Sequence, residues 1–172
     1  MTVTTRLLTV DDAAEMAEQL RANREFLAPW DPDRSDEYFT EAGQRRVLAD
    51  MLRQHSSGSA LPHAIVENGR ILGRIALTNI ARGPFLSGTL GYWVAHEANG
   101  RGVATAAVAR IVGLAFTDLG LHRVEAGTLV NNIGSQRVLE NNKFQRYGLA
   151  PRYLWIAGAW RDHVLFQRLA DD

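Results

Sequence analysis

One stretch limits what this chain can fold into more than any other: Gly91-Tyr92-Trp93-Val94-Ala95-His96-Glu97-Ala98-Asn99-Gly100-Arg101-Gly102-Val103-Ala104-Thr105. It reads as a strand, a glycine-bearing turn and the first turn of a long helix, predicted over Gly102 to Asp118. Val103, Ala107, Val108, Ile111, Val112, Leu114, Ala115 and Phe116 leave that helix apolar almost all round, so it is expected to be buried. The first N–H groups of a helix have no partner within it, and the helix dipole adds partial positive charge there. Gly100 and Gly102 remove side chains that would hold a phosphate away from those donors. The stretch is an anion cradle or, on the plainer reading, an ordinary strand-to-helix turn. Spacing narrows the choice of anion. A P-loop needs four residues between its first glycine and Gly-Lys-Ser/Thr, whereas Gly-Arg-Gly here runs straight into Val-Ala-Thr. In the dinucleotide fingerprint a third glycine or alanine follows three places after the second. Ala104 comes one place early, and no βαβαβ alternation follows.

The rest of the composition removes several classes of function. Nineteen basic residues balance 19 acidic ones, which argues against capture of nucleic acid or of an anionic membrane surface. The absence of cysteine excludes disulfides, cysteine nucleophiles and thiolate metal sites. Five histidines show no metal-ligand spacing, so no metal is expected. The first residues lack the basic-then-apolar run of a secretion signal, and no apolar stretch approaches the ~20 residues of a membrane span. A cytoplasmic protein is expected, with residues 1–172 forming one domain.

Thr4 to Val10 reads as a first strand. Asp11-Asp12, with Glu15 behind them, offers a cap for a helix carrying Met16 and Leu20. Phe26 to Asp33 cannot be helical throughout, because Pro29 and Pro32 break it. A second helix is predicted over about Asp36 to His55, with Val47, Leu48, Met51 and Leu52 on one face. The strongest hairpin signal is His63 to Glu67, Asn68-Gly69, then Arg70 to Ile80, since Asn-Gly suits a type I′ turn. Gly88 to Ala95 pairs back as the next strand, and His122 to Val130 alternates as another. A short helix opens at Asn131 to Ser135 and runs to about Asn141. Phe144 to Leu169 gives two long strands joined at Ala157-Gly158-Ala159. The fold class is α+β on a single mixed, mainly antiparallel sheet flanked by about four helices.

Asn99-Gly100-Arg101-Gly102-Val103-Ala104 resembles the acyl-CoA loop of the GNAT N-acetyltransferases, Gln/Arg-x-x-Gly-x-Gly/Ala, with Asn99 departing from the usual first residue. The segment Asn132 to Phe144 is similar to that family's Asn-x-x-Ser-x-x-Val-Leu-Glu-Lys-x-Gly-Phe. Asn141 and Lys143 stand where Lys and Gly are usual, and Asn142 is expected to take the left-handed position that ends the helix. Tyr153 to Leu165 resembles the closing hairpin of the RimJ branch, the ribosomal-protein-alanine N-acetyltransferases, and Asn23 to Trp30 resembles its segment between the first two helices. The resemblance implies a strongly bent sheet whose Tyr92 and Val124 strands splay apart in a V. It implies acetyl-CoA as cosubstrate, its pantetheine arm on the backbone of Trp93, Val94 and Ala95 and its pyrophosphate on Gly100 to Thr105. The implied acceptor is a primary amine, most simply a protein N-terminal α-amine of Ala or Ser, attacked directly in a ternary complex by a monomer or homodimer.

Each site residue carries a plainer alternative. Ser135 matches a proposed proton donor to the CoA sulfur, or satisfies the first turn of its helix. Asn132 matches the family's cofactor-binding asparagine and also suits a helix cap. Arg101 meets a CoA phosphate or faces solvent. No general base stands out: the glutamate of the RimL branch falls here on Leu154. Glu125 and Glu97 are candidates acting through water, or solvated carboxylates. An α-amine of pKa ~8 is roughly a tenth neutral near pH 7, whereas lysine at ~10.4 is neutral at under one part in a thousand, so a weak base suits an N-terminal substrate. Phe26, Leu27 and Trp30, with Tyr153, Trp155 and His163, are expected to wall the acceptor end. His163 and Trp30 also read as packed core residues, and Tyr92 and Trp93 as structural aromatics. Rival readings are a small-molecule amine (amino acid, polyamine or aminoglycoside) as acceptor and a non-catalytic acyl-CoA sensor.

Overall fold

The structure is a computed structural model in which residues 2–171 are described; Met1 and Asp172, the ends of the expected domain, lie outside the described residues. The strands are β1 Val3–Leu7, β2 Leu61–Glu67, β3 Arg70–Ala81, β4 Ser87–Val94, β5 Arg123–Leu129, β6 Gln145–Ile156 and β7 Ala159–Leu169. The α-helices are α1 Ala13–Ala22, α2 Arg24–Leu27, α3 Glu41–Ser56, α4 Val103–Thr117 and α5 Ile133–Asn141. All seven strands form one sheet in the order β1-β2-β3-β4-β5-β7-β6. Only β4 and β5 run parallel, so the architecture is mixed α+β and mainly antiparallel.

That parallel pair is short. Ser87, Gly88 and Thr89 oppose Arg123, Val124 and Glu125, after which β4 continues to Val94 on β3 and β5 to Leu129 on β7, no longer paired with each other. A gap therefore opens in the middle of the sheet. β2 is buried along nearly its whole length, as expected of a strand covered on both faces. Ile65, Ile75, Leu90 and Val94 pack against α4 on one face, whereas Ala64, Val66 and Ile71 pack against α1 and Leu48 on the other.

The β2–β3 turn has the expected geometry: Asn68 (φ 52°) and Gly69 (φ 79°) both take left-handed angles, as a type I′ turn demands. Elsewhere the structure departs from expectation. The first strand stops at Leu7, and Val10–Asp12 forms a 3-10 turn. Asp11 and Asp12 do not cap α1, because Asp12 has stronger partners: the Arg6 guanidinium at 2.8 and 2.7 Å and the Thr9 N–H at 2.8 Å. The Arg6 bond holds the Asp12 carboxyl below its ordinary range. Glu15 accepts the Ile71 N–H at 2.7 Å and so docks α1 on β3.

The helix expected over Asp36 to His55 is interrupted at Thr40, which is extended (φ −92°, ψ 156°) and caps α3 through the Gly43 N–H. Gly43 makes the break possible, since a Cβ there would lie 1.9 Å from Glu37 O. α4 is buried on one side only: Ala106, Ala109, Arg110, Gly113 and Thr117 face solvent. Alanine and glycine expose little apolar area, so an apolar sequence does not require full burial. At the end of α5, Lys143 (φ 62°) and not Asn142 takes the left-handed position. The Asn142 side chain instead donates to Thr105 O at 3.2 Å and Val138 O at 2.9 Å, which ties α5 to the start of α4.

Candidate active site

Two cavities lie on opposite faces of the sheet and share a wall. The first, about 420 Å³, lies on the α4 face and is lined by Asn99, Gly100 and Gly102 to Thr105 of the glycine loop and by α5. Gly102 (φ 78°) is the N-cap of α4 and supplies no side-chain bond, and the first turn holds no acidic residue. The Ala106 N–H is the first to bond within the helix, to Gly102 O. The N–H groups of Val103, Ala104 and Thr105 are thus the unspent donors at the cavity wall. A Cβ on Gly100 or Gly102 would meet nothing within 4 Å, so the loop is glycine-bearing for its left-handed angles, +71° and +78°, and not for packing.

The loop is held from outside. Arg101 bonds Glu67 at 2.6 Å, and Arg70 lies 3.6 Å from Glu97, pinning the loop to the β2–β3 hairpin. Asn99 Nδ2 donates to Ala95 O at 3.2 Å, closing the turn on itself. Asn23 Oδ1 accepts the His96 N–H at 2.8 Å, and the Phe26 ring lies 4.8 Å from His96, so α2 is fastened over the loop.

Along β4, the Ala95 N–H donates to Leu72 O at 2.7 Å. Backbone groups alternate in direction along a strand, so the register of Gly73 opposite Val94 turns Trp93 towards β3 as well. The backbone groups of Tyr92 and Val94 face the gap. Of the three residues expected to meet a pantetheine arm, only Val94 offers it free backbone groups; those of Trp93 and the N–H of Ala95 are spent on β3.

The gap is bridged by side chains. Ser135 lies in the first turn of α5, its N–H bonded to Asn132 Oδ1 at 3.1 Å, and its Oγ lies 2.8 Å from the Tyr92 hydroxyl. Burial pushes the Tyr92 phenol up to about 12, the Ser135 bond opposing the shift, so Tyr92 stays protonated and neutral. The Asn132 cap uses its carbonyl oxygen and leaves the amide N–H groups for the cavity.

The second cavity, about 500 Å³, lies on the α1 and α3 face. Arg74, Ala76 and Thr78 of β3 and Gly91 and Trp93 of β4 form its floor, with Met51, Tyr153 and Leu154 at its sides. Leu27, Trp30, Tyr92 and Trp93 line both cavities, and the unpaired stretch between β4 and β5 lies at this shared wall.

The expected acceptor residues divide. Phe26 lines the first cavity, Leu27 and Trp30 both, and Tyr153 the second. Trp155 and His163 line neither: Trp155 packs on Trp160 at the hairpin tip, and His163 is buried with Nδ1 3.0 Å from Arg161 O. Glu125 lines neither cavity and is engaged by the Tyr147 hydroxyl at 3.0 Å and Arg123 at 3.8 Å. Glu97 and Arg101, each in an ion pair, also lie outside both linings.

Three residues were not singled out from sequence. Tyr92 reads there as a structural aromatic, although its place two residues before Val94 puts it on the same side of the strand. Arg137 lines the first cavity and takes part in no ion pair among the described residues; the spacing Gly134, Arg137, Val138, Asn141 marks the α5 face that carries it. Arg74 left no local signal. Among the described residues, no group of three or more His, Asp or Glu side chains is placed to hold a metal ion, and no helix is long and apolar enough to cross a membrane.

The acetyltransferase (GNAT) domain model matches residues 2–145. The chain belongs to the GNAT acetyltransferases. Probable N-acetyltransferase YjcK of Bacillus subtilis is similar to this GNAT chain, 34% identical over 99% of it and 96% of the relative. The [Ribosomal protein uS5]-alanine N-acetyltransferase of Escherichia coli is 31% identical over 93% of this chain and 84% of its own length. Among solved structures, Mycobacterium smegmatis RimJ in complex with CoA-disulfide superposes with a TM-score of 0.95 at 32% identity, covering 98% of this chain and 82% of that one. The GNAT fold and the enzyme class expected from sequence therefore stand.

Proposed function

We propose that this GNAT enzyme transfers acetyl from acetyl-CoA to the N-terminal α-amine of a protein, one beginning with Ala or Ser, in the cytoplasm. The observation that carries the reading is that two cavities from opposite faces of the sheet share a wall that includes Tyr92, whose hydroxyl lies 2.8 Å from Ser135 Oγ. Similarity to a ribosomal-protein-alanine acetyltransferase supports a protein acceptor.

The residues of the first cavity fit CoA. The unspent N–H groups of Val103, Ala104 and Thr105 and the unpaired Arg137 suit its phosphates, and the backbone of Tyr92 and Val94 suits the amides of its arm. When bound, acetyl-CoA supplies the acetyl group as a thioester. The Tyr92 hydroxyl holds Ser135 Oγ at 2.8 Å and also reaches Ser135 O at 3.3 Å; with the tyrosine as donor to Oγ, the serine proton is free to point into the cleft towards a departing sulfur. A thiol of reference pKa about 8.5 needs only modest help of this kind near neutrality.

The acceptor cavity holds one carboxylate among the described residues, Asp31, which lies 3.5 Å from Arg34. With no unengaged base at the junction among the described residues, only the fraction of amine that arrives neutral can react. Near pH 7 that is roughly a tenth of an α-amine of pKa ~8 but under one part in a thousand of a lysine at ~10.4. The test is a peptide with a free Ala terminus and one internal lysine, incubated with acetyl-CoA and mapped by fragmentation mass spectrometry. Acetyl on the α-amine is expected. Acetyl on lysine alone, or CoA binding without transfer to any peptide, refutes the reading.

A further inference from the structure

The acceptor cavity holds a cation that acetyl transfer does not use. Arg74 and Trp93 are direct cross-strand partners on β3 and β4, so their side chains leave the same face of the sheet, and both line this cavity. Arg74 Nη2 reaches the Tyr38 hydroxyl at 3.4 Å, a long bond. Arg74 Nη1 and Trp93 Nε1 are buried with no hydrogen-bond partner among the described residues. Buried donors are nearly always satisfied, and each exception calls for a reason; a charged group without an anion is the costlier kind. Asp31 does not supply that anion, since its carboxylate is the one beside Arg34. Both unspent donors belong to cross-strand partners that line the cavity; a small turn of either side chain would present its N–H to a carboxylate, the group a guanidinium matches best.

We infer that Arg74, with Trp93 beside it, is the specificity-determining group that receives a carboxylate of the acceptor: the side chain of an Asp or Glu close behind the acetylated terminus. The inference deepens the N-terminal reading and rests on it. The alternation along β4 puts Trp93 and Tyr92 on opposite faces, so Arg74 binds away from the reacting atoms and selects the acceptor without touching them. The same cation opposes polyamines and aminoglycosides, whose charges would meet their like.

The test uses peptides that share a free Ala terminus and carry Glu, Gln or Lys at the second or the third residue. Turnover gives kcat/KM, and tryptophan-fluorescence titration of the N-acetylated forms, with CoA present, gives binding without turnover. At one of the two positions the Glu peptide is expected to exceed the Gln peptide about tenfold in both readouts, with Lys lowest. Arg74→Gln should bring Glu and Gln within about twofold, while Arg74→Lys, which keeps the charge but not the fork, retains part of the preference. CoA affinity and the unfolding midpoint of each variant report that it folds. Turnover with no acidic preference, or a preference that survives Arg74→Gln, overturns the inference and leaves the N-terminal reading standing. Arg74-dependent binding of the Glu form with no peptide acetylated does the reverse. No Arg74-dependent difference in either readout overturns the inference.

Discussion

The two cavities are built differently. The one on the α4 face is made mostly of backbone: two left-handed glycines, the opening N–H groups of α4 and the strand edge at Tyr92 and Val94. The one on the α1 and α3 face is made of side chains, with Leu27, Met51, Arg74, Trp93 and Tyr153 contributed by five separate elements. A backbone site depends on local conformation, which a short contiguous sequence can specify. A side-chain site depends on tertiary placement and can change its occupant with one substitution. A cosubstrate common to a family and an acceptor that differs among its members call for those two constructions.

The comparison can be broken most severely at Gly102. Gly102→Val forces a β-branched residue to φ 78°, where L-residues pay roughly 1–2 kcal/mol, and puts a side chain where the anion would sit. CoA binding should weaken by about a hundredfold by calorimetry, counting both effects; normal binding would move the cradle elsewhere. Ser135→Ala tests the junction. Loss of one positioned proton donor should lower kcat by about ten- to a hundredfold, with CoA affinity within about twofold, and unchanged turnover would remove the donor role. Tyr153→Ala touches only the acceptor cavity, so acceptor KM should rise several-fold in steady-state kinetics while CoA affinity holds.

A finer comparison sets Arg137 against Arg101. Arg137→Ala should weaken CoA about three- to tenfold by loss of a charge-assisted contact. Arg101→Ala should change it by less than about twofold, because that guanidinium is already held by Glu67 at 2.6 Å; the reverse order would exchange their roles. The smallest effect is in pH. Tyr92, raised to about 12, keeps its proton throughout the working range, so the rise of kcat/KM with pH should follow the acceptor amine alone and level off near ~8. A fall in rate between pH 8 and 10 would mean that Tyr92 ionises there.

The same contrast explains what could be read from the sequence. Asn68-Gly69 and Gly100-Arg101-Gly102 state their backbone angles locally, and both the β2–β3 hairpin and the glycine turn that opens α4 were legible from them. Thr40 was not recognisable as a helix boundary, because the reason lies in Glu37 O crowding Gly43, a contact made only in three dimensions. Asn142 was the better left-handed candidate by residue type, yet its amide is needed to tie α5 to α4, and Lys143 takes the turn instead. The apolar sequence of α4 suggested full burial because alanines facing water and alanines facing a sheet look alike in one dimension. On the acceptor side, Trp155 and His163 were legible as hairpin residues but not as residues turned away from the cavity. Arg74 reads as one cation in a strand until Trp93 is set opposite it.

The central claim is that the thioester and the amine meet through the gap between β4 and β5, each arriving from its own face. A bisubstrate conjugate, CoA joined through an acetyl bridge to the α-nitrogen of an Ala-terminated peptide, tests this in one titration. Joining ligands of adjacent sites makes the second binding intramolecular and should tighten it by two orders of magnitude or more, roughly, over CoA alone. The account predicts that gain, and predicts that Tyr153→Ala diminishes it. A conjugate that binds no tighter than CoA would contradict the account, because the two cavities would then not communicate through the sheet.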